Sequence, residues 1–139
     1  MNDESRLKDF ASRYTEAWCS QNPTAVAQFF APYASLTING GAPAVGRVAI
    51  AGAAHEFMRD FPDLCLTMDR LIPQGERFEF HWTLDGHNTG PGGSGNRVRI
   101  SGFEEWKIGR DGLIADSQGH FDAKGYQRQI EHGYDGSRR

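Results

Sequence analysis

Four polar residues recur at every second position near the end of the chain, where they could bind or activate a ligand. They are Asp116, Gln118, His120 and Asp122. Residues 96–122 around them predict two strands that fold back at residues 109–112, Gly-Arg-Asp-Gly. Because side chains alternate across a strand, the four polar groups would share one face of the last strand. That face is either solvated or built around a ligand.

Asp122 is the first candidate for acid/base catalysis. Proton abstraction beside a carbonyl needs a carboxylate whose pKa is raised toward neutrality, and burial among aromatic side chains raises it. His120 could hydrogen-bond to Asp122 or donate to an oxyanion. The alternatives are a solvated or helix-capping Asp122 and a purely structural His120. The catalytic interpretation of Asp122 therefore requires that it be buried.

Glu104 is a second candidate acid, because its parity in the preceding strand places it among apolar residues. Those residues are Val98, Ile100, Trp106 and Ile108. A carboxylate on an apolar face must be paired, neutral or at the wall of a cavity. The alternative is a β-bulge at Gly102 that turns Glu104 outward and Glu105 inward.

Other chemistries have little support in the sequence. The five histidines lack the spacing of a metal site, and no Gly-x-Ser-x-Gly motif is present. Cys19 and Cys65 are isolated, so we expect two reduced, partly buried thiols. The glycine-rich residues 90–95 neither lead into a helix nor carry a lysine, which argues against a phosphate loop. The sequence predicts no metal and no cofactor.

The periodicity of the chain predicts helices first and strands last. Helical spacing covers residues 7–18 and 47–61, and Asn22-Pro23 starts a short helix that Pro32 would end. Alternation predicts strands over residues 34–39, 64–73, 77–88 and the hairpin 96–122. Long strands joined by short turns favour an antiparallel meander, since no crossover helices separate them. We expect an α+β fold with three helices on one face of the sheet.

Aromatic residues of these elements, with a few polar neighbours, are candidates for a substrate pocket. Plain core packing is the alternative for the aromatic residues, and an outer face of the sheet is the alternative for His87. The candidates are Tyr14, Trp18, Phe30, Phe57, Met58, Phe80, Trp82, His87, Trp106 and Gln118.

Length and composition indicate one globular domain over residues 1–139, with an ordered core at about 5–132 and a flexible tail at 133–139. The net charge of −3 comes from mixed acids and bases without a basic stripe, so no nucleic-acid partner is expected. The polar N-terminus is unlike a secretory signal, and no apolar run is long enough for a membrane span. We expect a cytoplasmic protein without a membrane partner.

Three segments resemble the SnoaL-like polyketide cyclases of the nuclear transport factor 2-like superfamily. They are residues 80–91 (FHWTLDGHNTGP), residues 98–106 (VRISGFEEW) and the Asp-Gly-Leu-Ile run at 111–114 that leads to Asp122. The resemblance implies a cone-shaped half barrel with a curved antiparallel sheet, a pocket under the helices and a homodimer through the outer sheet face. It also implies a pocket acid near the end of the last strand, which matches Asp122. The chain departs from many relatives at residues 116–119, where the usual Trp is absent, and at Leu113, where Lys is usual.

The resemblance implies a cofactor-independent cyclase, isomerase or dehydratase that acts on an apolar carbonyl-bearing or polycyclic ligand. The alternative is a non-catalytic ligand-binding or protein-interaction domain on the same fold. An epoxide hydrolase would need an Arg between two pocket acids, whereas Arg99 has outward parity. A solvated Asp122 beside a cavity filled by Phe and Trp would count against the enzyme hypothesis.

Overall fold

The computed structural model describes residues 3–135, which form four helices and six strands. The helices are α1 (Asp3–Cys19), α2 (Pro23–Ala27), α3 (Arg47–Asp60) and α4 (Ala123–His132). The strands are β1 (Phe30–Ile38), β2 (Ala44–Val45), β3 (Cys65–Gln74), β4 (Arg77–His87), β5 (Arg97–Ile108) and β6 (Ile114–Phe121). The predicted α+β class is confirmed.

All six strands belong to one curved, unclosed sheet in the order β2-β1-β6-β5-β4-β3. The predicted antiparallel meander is present from β3 to β6. The sheet is mixed rather than antiparallel throughout, because β1 pairs with β6 in parallel. Parallel neighbours need a long connection, and here α3 and the whole meander provide it. Sequence periodicity did not reveal this pairing of the two ends of the domain.

The second helix ends earlier and the first strand begins earlier than the sequence predicts. Asn22 caps α2 as expected, accepting from the backbone N–H groups of Thr24 and Ala25. The helix ends at Ala27, however, and Pro32 lies inside β1. The register of β1 against β6 shifts between Phe30 and Ser35. Proline has no N–H to donate to a ladder, and an irregular stretch accommodates it.

The fourth helix was not predicted. It follows β6 directly, and the Asp122 carboxylate caps it by accepting from the Gly125 N–H. Beyond α4, the Tyr134 N–H donates to the Arg97 carbonyl at 2.7 Å. The rest of the predicted flexible tail, residues 136–139, lies outside the described residues.

The core lies between the helices and the inner face of the sheet. Phe80 of β4 stacks on Trp106 of β5 with centroids 4.8 Å apart and an interplanar angle of 12°. Tyr14 of α1 meets both rings edge-on, at 5.4 and 5.2 Å. Edge-to-face and offset-stacked rings are favourable arrangements, and together they fix α1 against the strands that carry Glu104. Within residues 3–135, no helix is long and apolar enough to cross a membrane.

Candidate functional site

Glu104 lies on the inner face of the sheet, as its parity predicts. The alternative of a bulge at Gly102 is wrong, because Gly102 pairs with Trp82 and Phe121 in a register that continues without a shift through Glu104. Only 7% of the Glu104 surface is exposed. Its neighbour Glu105 points the other way. The regular strand therefore places one carboxylate inside the domain.

Gly102 makes room for two side chains beside this carboxylate. A Cβ at position 102 would lie 2.7 Å from Cζ2 of Trp82 and 2.9 Å from Cβ of Phe121, and it would also meet the His120 carbonyl. Such distances are too short for non-bonded carbon atoms. The glycine of the Ser-Gly-Phe run is thus explained by close packing at the site rather than by a bulge.

Three neutral side chains donate hydrogen bonds to the Glu104 carboxylate. Ser117 Oγ and Trp106 Nε1 donate to Oε1 at 2.7 and 3.1 Å. The Tyr14 hydroxyl lies 3.1 Å from both Oε1 and Oε2. Oε1 therefore has three donors within hydrogen-bond distance, whereas Oε2 has the Tyr14 hydroxyl alone. An ionised carboxylate has about four acceptor positions, so Oε2 keeps capacity for a further proton or donor.

Burial raises the pKa of Glu104 above its usual range, and the hydrogen bonds from Ser117, Trp106 and Tyr14 only partly oppose the increase. Burial, followed by the nearby Glu104 charge, also raises the pKa of Tyr14 well above its usual value. No cation contacts the carboxylate among the hydrogen bonds and ion pairs of residues 3–135. Glu104 is therefore a proton acceptor whose affinity for protons is increased by desolvation.

Glu104 borders two small cavities, which we call the first and second lobes. The first lobe, of about 50 Å³, is lined by Tyr14, Trp18, Leu36, Ile38, Ala53, Phe57, Glu104, Gly119 and Phe121. The second lobe, of about 40 Å³, is lined by Trp18, Phe57, Leu66, Trp82, Leu84, Ile100 and Glu104. Trp18, Phe57 and Glu104 border both lobes, so the lobes adjoin. Glu104 is the one charged side chain in these walls.

The expected placement of Asp122 and His120 in the pocket is wrong. Asp122 is exposed and caps α4, because the chain turns from strand into helix at this residue. His120 lies on the outer face of the sheet, where Nε2 is 2.8 Å from Oε1 of Glu105. Neither residue lines either lobe. The helix-cap alternative for Asp122 is the correct one.

Asp116, Gln118 and His120 of the alternating polar row do share one face of β6, but this face is the outer one, and Asp122 lies beyond the strand. Asp116 accepts hydrogen bonds from Ser35 and Gln118 and pairs with Arg77 at 3.0 Å. Partial burial would raise the pKa of Asp116, but these partners outweigh it and lower the value. Gln118, predicted to bind substrate, instead belongs to this outer network.

Four of the ten substrate-binding candidates line the lobes, namely Tyr14, Trp18, Phe57 and Trp82. Four others, Phe30, Met58, Phe80 and Trp106, are buried in the core without lining either lobe. Trp106 still reaches Glu104 through its indole N–H. His87 is exposed, and its Nδ1 lies 2.7 Å from Asp63, so it does not turn into the pocket. Core packing was therefore the correct alternative for the four buried residues.

Ser117 is a site residue that the sequence did not reveal. It is fully buried, pairs with Trp106 across the sheet and makes the shortest hydrogen bond to Glu104. Its position between Asp116 and Gln118 could have predicted that it points inward. Side chains alternate along a strand, so the residues between outward polar side chains face the interior.

Residues 3–135 contain no group of three or more His, Cys, Asp and Glu side chains that could hold a metal ion. Cys19 and Cys65 are both exposed rather than partly buried. The Cys19 thiol accepts from the Leu66 N–H at 3.2 Å. Desolvation, followed by the neighbouring Cys19 thiol, raises the pKa of Cys65.

Helices packed on a curved, unclosed sheet, with one buried acid beside an apolar cavity, define the architecture and the candidate site of this α+β protein. The protein-family model described as the SnoaL-like domain matches residues 11–117. This range includes Tyr14, which lines the first lobe, and the buried Ser117. The chain belongs to the SnoaL-like family.

Solved structures share this fold at low sequence identity. A protein from Jannaschia sp. CCS1, described as a candidate SnoaL-like polyketide cyclase, is 14% identical with a TM-score of 0.80 and 94% of each chain covered. TsrD from Streptomyces laurentii is 22% identical with a TM-score of 0.78, over 94% of this chain and 98% of its own. A protein of ketosteroid isomerase-like fold from Catenulispora acidiphila, solved with trimethylamine, is 18% identical with a TM-score of 0.76, over 88% and 92%. No curated protein matches the chain.

Proposed function

We propose that this protein is a cofactor-independent acid–base enzyme in which Glu104 exchanges a proton with a small, mainly apolar ligand. The observation that carries the proposal is the unequal coordination of the buried carboxylate. Oε1 is held by Ser117, Trp106 and Tyr14, whereas Oε2 has Tyr14 as its one donor. A fixed carboxylate with one oxygen available for a proton suits general acid or base catalysis.

The reaction class that suits this arrangement is proton transfer next to a carbonyl, as in a cyclisation, isomerisation or dehydration. Glu104 would remove a proton as the carboxylate and return it as the acid. The donors to Oε1 would hold the group in one orientation during both steps. Because Glu104 is the one ionisable carboxylate in the lobes, the same group would serve in both directions.

The ligand is smaller than the polycyclic compounds that the resemblance implied. One water-sized group needs about 10–15 Å³ of such a cavity, so lobes of about 50 and 40 Å³ hold about seven such groups together. A polycyclic ligand would have to displace the rings of Trp18 and Phe57, which border both lobes. The candidate cyclase from Jannaschia supports the enzyme class through its fold alone.

The proposal is tested by hydrogen–deuterium exchange at the α-carbons of cyclohexanone in D₂O, followed by NMR. Glu104→Gln keeps the shape and most hydrogen bonds but removes the ionisable group. We expect it to reduce catalysed exchange by at least about 100-fold, the usual size of a general-base contribution. Asp122→Asn, a matched acid-to-amide change outside the lobes, is expected to leave the rate unchanged.

Exchange that survives in Glu104→Gln, or that disappears in Asp122→Asn, would contradict the assignment of Glu104. Absence of exchange in the unaltered protein would favour the alternative of a binding domain without catalysis. The buried network around Glu104 gives that alternative specific support, because hydrogen-bonded buried acids also occur as structural elements.

We also propose that the protein forms a homodimer through the outer sheet face. Phe103 of β5 supports this, because it lies on that face between His81 and His120, with ring centroids 5.1 and 4.9 Å away. Aromatic residues are enriched at protein–protein interfaces relative to the rest of the surface.

A further inference from the structure

Trp18 carries a buried hydrogen-bond donor that has no acceptor. Its Nε1 is the one buried side-chain nitrogen or oxygen without a hydrogen-bond partner among residues 3–135. Only 9% of the residue surface is exposed. Buried indole N–H groups usually find a partner, because an unsatisfied polar group costs about 1–3 kcal/mol. An unpaired donor in such a place needs an explanation.

The unpaired donor lies at the candidate site. Trp18 borders both lobes together with Glu104 and Phe57. Its indole lies beside the Tyr14 hydroxyl and opposes the increase in the pKa of Tyr14 that burial and the Glu104 charge cause, although the two side chains do not meet hydrogen-bond geometry. Trp18 and Tyr14 both line the first lobe, and Tyr14 contacts Glu104.

The remaining walls restrict what the donor can bind. Apart from Tyr14, Trp18 and Glu104, the lobes are lined by aliphatic and aromatic side chains and one glycine. No cationic side chain is present to neutralise an anionic ligand. An unpaired N–H donor in the wall disfavours a cation, although an aromatic wall with a carboxylate could otherwise hold one.

We propose that Trp18 binds the oxygen of a small uncharged ligand, a carbonyl or ether oxygen, and thereby orients the ligand against Glu104. The hydrocarbon part of the ligand fills the lobes that Trp18 borders. This inference rests on the proposed function for its catalytic meaning, but the binding claim can be tested without turnover. It makes Trp18 the residue that selects oxygen-bearing ligands over plain hydrocarbons.

The experiment uses two probes of the same shape, cyclohexanone and methylenecyclohexane. The ketone carries a C=O group that can accept a hydrogen bond, and the alkene carries a C=CH₂ group in its place. Affinities are measured by NMR titration, with the Trp18 indole signal assigned by triple-resonance NMR of the unaltered protein. We expect the unaltered protein to prefer the ketone by about three- to tenfold, the worth of one hydrogen bond. The Trp18 indole proton should move downfield with the ketone and stay in place with the alkene.

Trp18→Phe should lose the preference for the ketone, whereas Asp122→Asn, a change outside the lobes, should keep it. The preference is measured without turnover, so loss of catalysis and loss of oxygen binding are separate results. If Trp18→Phe does not fold, the indole shift of the unaltered protein decides alone.

Three results would overturn the inference. One is a Trp18 indole signal that does not respond to bound ketone, and another is an unchanged ketone preference in Trp18→Phe. The third is tighter binding of tetramethylammonium than of cyclohexanone, including the case in which the ketone does not bind at all. That result would make the lobes an aromatic cage for cations.

Discussion

The hydroxyl of Tyr14 lies 3.1 Å from both carboxylate oxygens of Glu104, although the two residues are 90 positions apart in the chain. Packing of α1 against the inner face of the sheet produces this contact. It is one of three hydrogen bonds that lower the pKa of Glu104 against the increase caused by burial. The balance between burial and these donors sets the pH at which the group exchanges its proton.

Tyr14→Phe removes the hydroxyl that donates a hydrogen bond to the Glu104 carboxylate. The ionised carboxylate becomes less stable, so the pKa of Glu104 should rise further and the acid limb of the pH–rate profile should move to higher pH. A profile of α-proton exchange measures the shift. Tyr126→Phe is the matched control, because Tyr126 makes no hydrogen bond to Glu104; burial and then Asp60 raise its pKa to about 12. An unchanged profile in Tyr14→Phe would show that the hydroxyl does not act on the acid.

The stability of the protein should depend on pH through Glu104. Its pKa is raised in the folded state, so between the unfolded value near 4.3 and the raised folded value the native state binds more protons. The free energy of unfolding therefore falls as pH rises through this window and stays lower above it. Glu104→Gln should not show this decrease. Urea denaturation at a series of pH values measures the free energy of unfolding of both proteins. Parallel curves for the two proteins would contradict the raised pKa.

Gly102→Ala should destabilise the protein and close the site. The added Cβ meets Trp82 and Phe121, so we expect a cost of about 1–3 kcal/mol and weaker binding of cyclohexanone. Gly52→Ala in α3 is the matched control, since no atom lies within 4 Å of its added Cβ and alanine favours helix by about 0.5–1 kcal/mol. Thermal denaturation should thus show opposite signs for the two changes. A harmless Gly102→Ala would mean that the rings can move away.

Asp122 should act as a helix cap. Asp122→Ala removes the acceptor for the Gly125 N–H and should cost about 0.5–2 kcal/mol, whereas asparagine caps about as well as aspartate. Urea denaturation of the two variants measures the difference. Equal stability of alanine and asparagine at position 122 would contradict the capping role.

The proposed dimer predicts concentration-dependent sedimentation. Phe103→Asp would place an unpaired charge at the centre of the outer face and should shift the protein to the monomer. Val48→Ser, at a side chain that is 90% exposed on α3 and not on the sheet, is the control and should leave the equilibrium unchanged. A monomer at every concentration of the unaltered protein would contradict the dimer.

The fold was largely predictable because periodicity and turns are local. The caps at Asn22, the hairpin turn at residues 109–112 and the inward parity of Glu104 follow from neighbouring residues alone. The helix after Asp122 was missed because a cap and a solvated strand end look alike in sequence. The parallel pairing of β1 with β6 depends on contacts between the two ends of the domain, which no local pattern records.

The sequence by itself determined which residues share a face within one strand, since alternation fixes parity: Asp116, Gln118 and His120 lie together, and Glu104 lies with apolar residues. Only the tertiary structure decided which face the helices cover. It placed Asp116, Gln118 and His120 outside and enclosed Glu104 with Tyr14, Trp106 and Ser117. The physical reason is that Glu104 shares its face with the apolar residues that must be buried, and burial of a carboxylate requires donors that only distant elements supply.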